Sequence, residues 1–270
     1  MPAKAVSTWS LHRTLGSFRS IDPVSADRGA AGATRTSSGL PLLDLPAELH
    51  RRGYDSVQLV HFHVPTRDPA YLDELRAALA EASVTLDAVL VDDGDLVHPE
   101  DADAHEAWIS GWLDDATRLG ARRARVIAGK APPTPERIRA SGRRLARLAA
   151  KHPEVRVVTE NWLALTPDAT SVHQVLDAAD GSVGLLIDLA NWKGDDRYQQ
   201  LTSIAPLAET SHAKCHFETS GPDADDYRQT LGVLRDAGFS GPLALVYDGP
   251  DPDEWAGLEW EHAMTRSVFA

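Results

Sequence analysis

The chain has one cysteine and two methionines in 270 residues. A lone Cys215 excludes an internal disulfide, and with it the small disulfide-stapled secreted folds. Basic residues are also in short supply: 27 Lys and Arg face 40 Asp and Glu, a formal charge of −13. Nucleic-acid binding draws on basic side chains that replace counterions, so no nucleic-acid partner is expected. Anionic membrane surfaces are disfavoured on the same ground. No apolar run approaches the roughly 18 residues of a membrane span. The opening MPAKAVSTWSL lacks the apolar core of a secretory leader, so the expectation is a cytoplasmic protein. The first β-rich run leads into HRTLGSFRS, with no GxGxxG turn, which speaks against an open, doubly wound dinucleotide-binding sheet.

What is present is an alternation. Strands are predicted over Ala5–Leu11, Ser56–His63, Thr85–Val91, Arg123–Ala128, Val155–Glu160, Val183–Asp188, Ser211–His216 and Leu243–Tyr247. Amphipathic stretches separate them, several with start signals: Asp68 before Pro69, and Thr134 before Pro135 and Glu136. Eight strands each followed by a helix in about 250 residues is the count of a closed (β/α)8 barrel. The whole chain, 1–270, is expected to be one such α/β domain. The stretch 17–39, SFRSIDPVSADRGAAGATRTSSG, has no periodicity. It is expected to be a long loop after the first strand, either a lid over the catalytic face or an insertion without a role.

In a parallel barrel the carboxyl ends of all strands converge on one face. Three late strands end in metal-capable side chains: Glu160, Asp188 and His212. Positions two apart share a face, so Val158 and Glu160, Leu186 and Asp188, and His212, Lys214 and His216 form inward rows. A charge at the end of an apolar row must be paired, hydrated or metal-bound. Salt bridges to Lys214 or Arg125 would satisfy the carboxylates singly. Three such ends together point instead to one divalent cation, for which two carboxylates and an imidazole are a suitable ligand set. His61 and His63 are expected to share a face of the second strand, as sugar-binding groups or proton carriers. Trp9 and His12 end the first strand, where an indole offers a platform for a sugar face or simply packs the core. Asn161 and Asn191 follow the two carboxylates and offer hydrogen bonds to substrate or ligands, or serve as turn residues. Asp92, Asp93 and Asp95 are read mainly as a turn, with Asp92 also a candidate substrate contact, and Arg125 as a structural ion pair.

The segments TENW, LIDLANW and SHAKCHF, in this order, resemble the sugar isomerase/epimerase superfamily, the xylose-isomerase-like barrels. The resemblance covers essentially the whole chain and is strongest from Val155 to Gly249. It implies a Mn²⁺, Mg²⁺, Co²⁺ or Zn²⁺ ion held by Glu160, Asp188, His212 and a fourth carboxylate from the eighth strand. GPLALVYDG offers Val246 at that slot, and Asp248 is the candidate replacement ligand. It further implies proton abstraction beside a carbonyl of a sugar or polyol-like small molecule, with Glu160, Lys214 and His63 as catalytic groups. Trp9, His12, His61, Asn191 and His216 are the expected substrate contacts. Isomerisation, epimerisation and dehydration or lyase chemistry stay open, as does a metal-less barrel that only binds. The phosphodiesterase chemistry of the endonuclease branch needs more ligands and a basic groove, which this chain lacks. Trp255 and Trp260 either cover a homo-oligomer contact or pack the last helix.

Overall fold

Short β-branched and aliphatic runs become eight strands: β1 (Lys4–Ser7), β2 (Ser56–Val60), β3 (Thr85–Val91), β4 (Arg123–Val126), β5 (Arg156–Glu160), β6 (Gly184–Asp188), β7 (Ala208–Lys214) and β8 (Leu243–Val246). All pair in parallel with their sequence neighbours, and β8 closes on β1. The structure is a computed structural model that describes residues 2–18, 34–35 and 39–270. Helices follow the strands in turn: α1 (Leu45–Arg51), α2 (Pro69–Glu81), α3 (Ala102–Leu119), α4 (Pro135–Lys151), α5 (Ala169–Ala178), α6 (Arg197–Ile204), α7 (Ala224–Asp236) and α8 (Glu254–Phe269). The expected (β/α)8 barrel is therefore the fold. Among the described residues no helix is long and apolar enough to cross a membrane. Of the expected lid, the ends Ser17–Phe18 and Thr34–Arg35 pair antiparallel; residues 19–33 and 36–38 lie outside the described residues.

The predicted helix starts hold. Asp68 accepts the Ala70 N–H at 2.9 Å and Thr134 accepts the Arg137 N–H at 3.3 Å, each satisfying a donor the first turn leaves open. Strand ends differ from expectation in three places that matter for the site; one is β7, which stops at Lys214 and leaves His216 past the expected inward row. The first strand stops at Ser7, whose hydroxyl takes the Trp9 N–H at 3.3 Å and turns the chain into a 3-10 helix over Thr8–Leu11. The second stops at Val60, because the Thr8 hydroxyl takes the Val60 N–H at 2.9 Å. His61–His63 then forms a second 3-10 turn, so His61 and His63 do not share a strand face.

Two apolar layers fill the molecule. Outward-facing strand residues such as Val57, Val89 and Leu185 pack with Leu72, Leu113 and Leu145 of the helices. Inside the barrel sits a smaller cluster of Val60, Ala88, Leu90, Val158 and Leu186, joined by Phe62. Each Val, Leu or Phe side chain among them contributes about 1.5–3 kcal/mol on burial. Below that cluster, at the amino-terminal end, Gln58, Asp87 and Thr210 are fully buried and bonded to one another at 2.7–3.0 Å. Arg123 pairs with Asp87. The inner cluster and this polar plug close the barrel from beneath and leave the carboxyl-terminal mouth for chemistry.

Candidate functional site

Register and side-chain alternation bring the three strand-end ligand candidates together. Leu186 of β6 is level with Glu160 of β5, and Asp188 two residues on is level with His212 of β7. All three are buried, and one ligand atom from each lies within 4.8 Å of the others. His212 Nδ1 stands 3.5 Å from Glu160 Oε1 and 3.4 Å from Asp188 Oδ2.

Neighbouring groups fix these side chains in place. Asn191 donates to Glu160 Oε1 at 2.8 Å, and Arg125 Nε lies 3.1 Å from Glu160 Oε2. Asn161 clamps the end of β6: its Nδ2 donates to the Asp188 carbonyl at 2.9 Å and its Oδ1 accepts the Asp188 N–H at 2.7 Å. Asp188 Oδ1 accepts the Ala190 N–H at 2.7 Å. Such anchoring holds the carboxylates in place before anything binds, the arrangement a ligand set needs.

The electrostatics are those of a compact cluster of opposite charges. Burial works against the His212 imidazolium, but the charges and hydrogen bonds of Glu160 and Asp188 outweigh it and raise its pKa from 6.5 to about 9. Burial alone would raise Asp188; its bond to His212 and the nearby Lys214 lower it instead. Asp92, buried beside Arg125, is raised because desolvation exceeds the help of its guanidinium partner. Lys214 is held charged: burial opposes its ammonium, and the carboxylates of Asp188 and Asp248 more than compensate.

The donor set fits a divalent cation. His212 Nδ1 faces the Glu160 and Asp188 carboxylates, where a shared ion would sit, while its Nε2 is buried without a hydrogen-bond partner, a costly condition that a bound group would relieve. Oxygen and imidazole ligands of this kind suit Mn²⁺, Mg²⁺, Co²⁺ or Zn²⁺. The cluster opens into a cavity at the barrel mouth with a water-accessible volume of about 140 Å³.

Among the expected site residues, Glu160, Asp188, His212, Lys214, Asn191 and Trp9 line this cavity, as does Asp92, the candidate substrate contact after the third strand. The others stand elsewhere among the described residues. Asp248 pairs with Lys214 and is 40% exposed, so the structure keeps it out of the ligand cluster, while Val246 occupies the wall. His63 is buried, bonded to Thr8 Oγ1 at 2.8 Å and to His12 Nδ1 at 3.1 Å. His61 accepts the Asp92 N–H at 3.2 Å and lies edge-on to Trp108 and Trp112. His12 packs edge-on against Trp9, and His216 follows the end of β7. None of these four histidines forms part of the cavity wall.

Residues less visible in the sequence complete the wall. Arg125, expected to form only a structural ion pair, pairs with Asp92 and reaches Glu160 from inside the cavity. Its guanidinium lies 5.1 Å from the centre of the Trp162 ring. The R-A-R alternation of Arg123–Arg125 carried the signal, since both arginines share the inward parity of Val158 through the β4–β5 register.

Comparison with known proteins follows from this geometry. Residues 46–267 match the family described as xylose isomerase-like TIM barrel. The chain belongs to that family. No curated protein matches it. Solved xylose isomerase-like barrels share the fold over nearly the full length. One from Mycobacterium smegmatis, in complex with magnesium, has 15% identity and a TM-score of 0.68, covering 100% of this chain and 98% of its own. D-psicose 3-epimerase from Clostridium cellulolyticum H10, solved with D-tagatose, has 13% identity and a TM-score of 0.68, covering 99% of each chain. The probable 3-DHS dehydratase AsbF of Bacillus anthracis, involved in petrobactin synthesis, has 13% identity and a TM-score of 0.67, covering 100% and 99%.

Proposed function

We propose that this barrel is a divalent-metal-dependent enzyme of the isomerase/epimerase type, removing a proton beside a carbonyl of a sugar- or polyol-derived small molecule. The observation that carries this reading is the convergence of Glu160, Asp188 and His212 within 4.8 Å at a cavity in the barrel mouth. A divalent cation bound there would polarise the carbonyl and stabilise the negative charge left when the neighbouring carbon loses its proton.

The chain's own groups supply the rest. Glu160, steadied by Asn191 and Arg125, is the carboxylate placed to accept the proton. Lys214, kept charged by Asp188 and Asp248, is a proton donor on the same wall. Trp9 and Trp162 line the cavity, where their rings would flank a substrate and keep water from the reacting carbon.

Val246 favours one branch of this chemistry. With an apolar side chain there, the other carboxyls lining the cavity among the described residues are Asp188, beside His212, and Asp92, paired with Arg125, and neither faces Glu160 from β8. One base and one ammonium acid suit aldose–ketose isomerisation, or a dehydration in which Lys214 protonates the departing hydroxyl, better than a two-base epimerisation. Structural neighbours include both epimerases and a probable dehydratase. Glu160→Gln and Asp188→Asn are each expected to lower turnover and solvent-deuterium incorporation by about 10²–10⁴-fold. Retention of both by chelator-treated wild-type protein would overturn the reading.

A further inference from the structure

The cavity is two-sided, and its two sides differ in chemistry. The triad stands on β5, β6 and β7, with Arg125 beside it on β4. In the closed ring, β1 and β2 lie across the barrel from β5 and β6. That far side and the strands flanking it present Val60 on β2, Leu90 on β3, Val246 on β8, and Trp9 just after β1. Val60 and Leu90 belong to the apolar cluster inside the barrel, against which Trp9 also packs. Ser7 is the single hydroxyl there among the described residues lining the cavity, and it already accepts the Trp9 N–H; Asp92, just past the end of β3, also lines the cavity but is paired with Arg125 on the triad side.

The polar groups are concentrated on the triad side, and most are paired. Arg125 is engaged by Asp92 and Glu160, Lys214 by Asp248, and Asn191 by Glu160. Among the described residues, a fully hydroxylated substrate would thus find partners for the oxygens facing the triad and almost none for those facing Val60, Leu90 and Val246. Each hydroxyl desolvated without a partner weakens binding by about tenfold or more. Hydrocarbon on that side gains contact instead.

We propose that the pocket selects a compact hydroxy-carbonyl compound whose end remote from the triad is deoxygenated, with a methyl or methylene face seated on Val60, Leu90 and Val246. This rests on the metal-dependent reading above and narrows its substrate class. Selectivity comes from the strand residues beneath the mouth, fixed by barrel register (Val246 lies level with Lys214).

Two four-carbon probes separate the ideas: 1-hydroxybutan-2-one and erythrulose. They share the hydroxy-ketone and differ in oxygenation of the far end. Binding to the magnesium-loaded full chain is followed by calorimetry and by tryptophan fluorescence, which Trp9 and Trp162 report from the cavity wall. Magnesium alone is titrated in parallel. The expected result is at least tenfold tighter binding of 1-hydroxybutan-2-one by the wild type. Val246→Thr, which adds a hydroxyl at nearly constant volume, should cut that ratio at least threefold with magnesium affinity unchanged. Magnesium binding with equal affinity for the two ketones, a preference for erythrulose, or binding of neither ketone would overturn the inference and leave the metal site standing. Failure of magnesium, manganese, cobalt and zinc alike to bind would overturn the metal reading and the inference with it. The wild-type ratio decides the matter even if the variant does not fold.

Discussion

Glu261 lies fully buried on α8, where its Oε1 accepts the Cys215 N–H at 3.1 Å and its Oε2 has no hydrogen-bond partner. Burial pushes its carboxyl well above the ordinary range, against only modest help from that backbone bond. The sign of the consequence follows from linkage. A pKa raised on folding contributes stability that is complete below the unfolded value near 4.5 and is lost as pH rises toward the folded value. Glu261→Gln keeps an acceptor for Cys215 and removes the titration. It is expected to stabilise the protein by on the order of 1–2 kcal/mol at pH 8 and much less at pH 4, read from urea unfolding at the two pH values. At this same scale, the ligand candidates were legible because alternation along a strand is a local rule. Glu160 and Asp188 end apolar inward rows and His212 falls on one. The pairing of Arg125 with Glu160 was among the alternatives the sequence offered, whereas its pairing with Asp92 was not legible, since it depends on neighbouring strands brought side by side. The pairing of Asp248 with Lys214 depends likewise on a loop path that no local pattern encodes.

At the scale of elements, the one-turn helix His12–Leu15 is fastened to the far end of the chain. Glu254, buried at the start of α8, accepts the Arg13 N–H at 2.8 Å and the Thr14 N–H at 2.9 Å. Charge-assisted bonds of this kind are stronger than neutral ones. Glu254→Ala should cost about 2–4 kcal/mol, leaving two amides without an acceptor. Hydrogen exchange at Arg13 and Thr14 is expected to speed up well before exchange in β5 or β6 does. The alternation of strands and helices was readable in full, because period-2 and period-3.6 patterns separate cleanly here. The ends of β1 and β2 were not. A strand-like sequence was cut short by Ser7 and Thr8 hydroxyls taking backbone N–H groups, and the Thr8 bond spans 52 residues. The shared strand face expected of His61 and His63 is overturned for that reason, as it required a strand continuing past Val60.

For the whole molecule, a ligand that binds only the folded state stabilises it by about 2.7 kcal/mol at a hundredfold excess over its Kd. A divalent cation at the triad should therefore raise Tm, and chelation should reverse the rise. His212 must lose its proton before it can ligate. With its pKa raised to about 9 in the metal-free protein, apparent metal affinity should climb about tenfold per pH unit from 7 toward 9 and then level off. Thermal melts with and without magnesium or manganese across that range check this, with Asp188→Asn as the variant in which the shift disappears. The net charge of −13 adds a general attraction for cations that salt weakens, whereas the site-specific shift should survive moderate salt.

The plug of Gln58, Asp87, Thr210 and Arg123 beneath the inner cluster makes the barrel a blind well. Whatever enters by the mouth must leave by it, so under the proposed function product and incoming substrate would queue for one doorway. Turnover slowed by accumulating product, in a manner that more substrate relieves, is the kinetic signature of such a cul-de-sac.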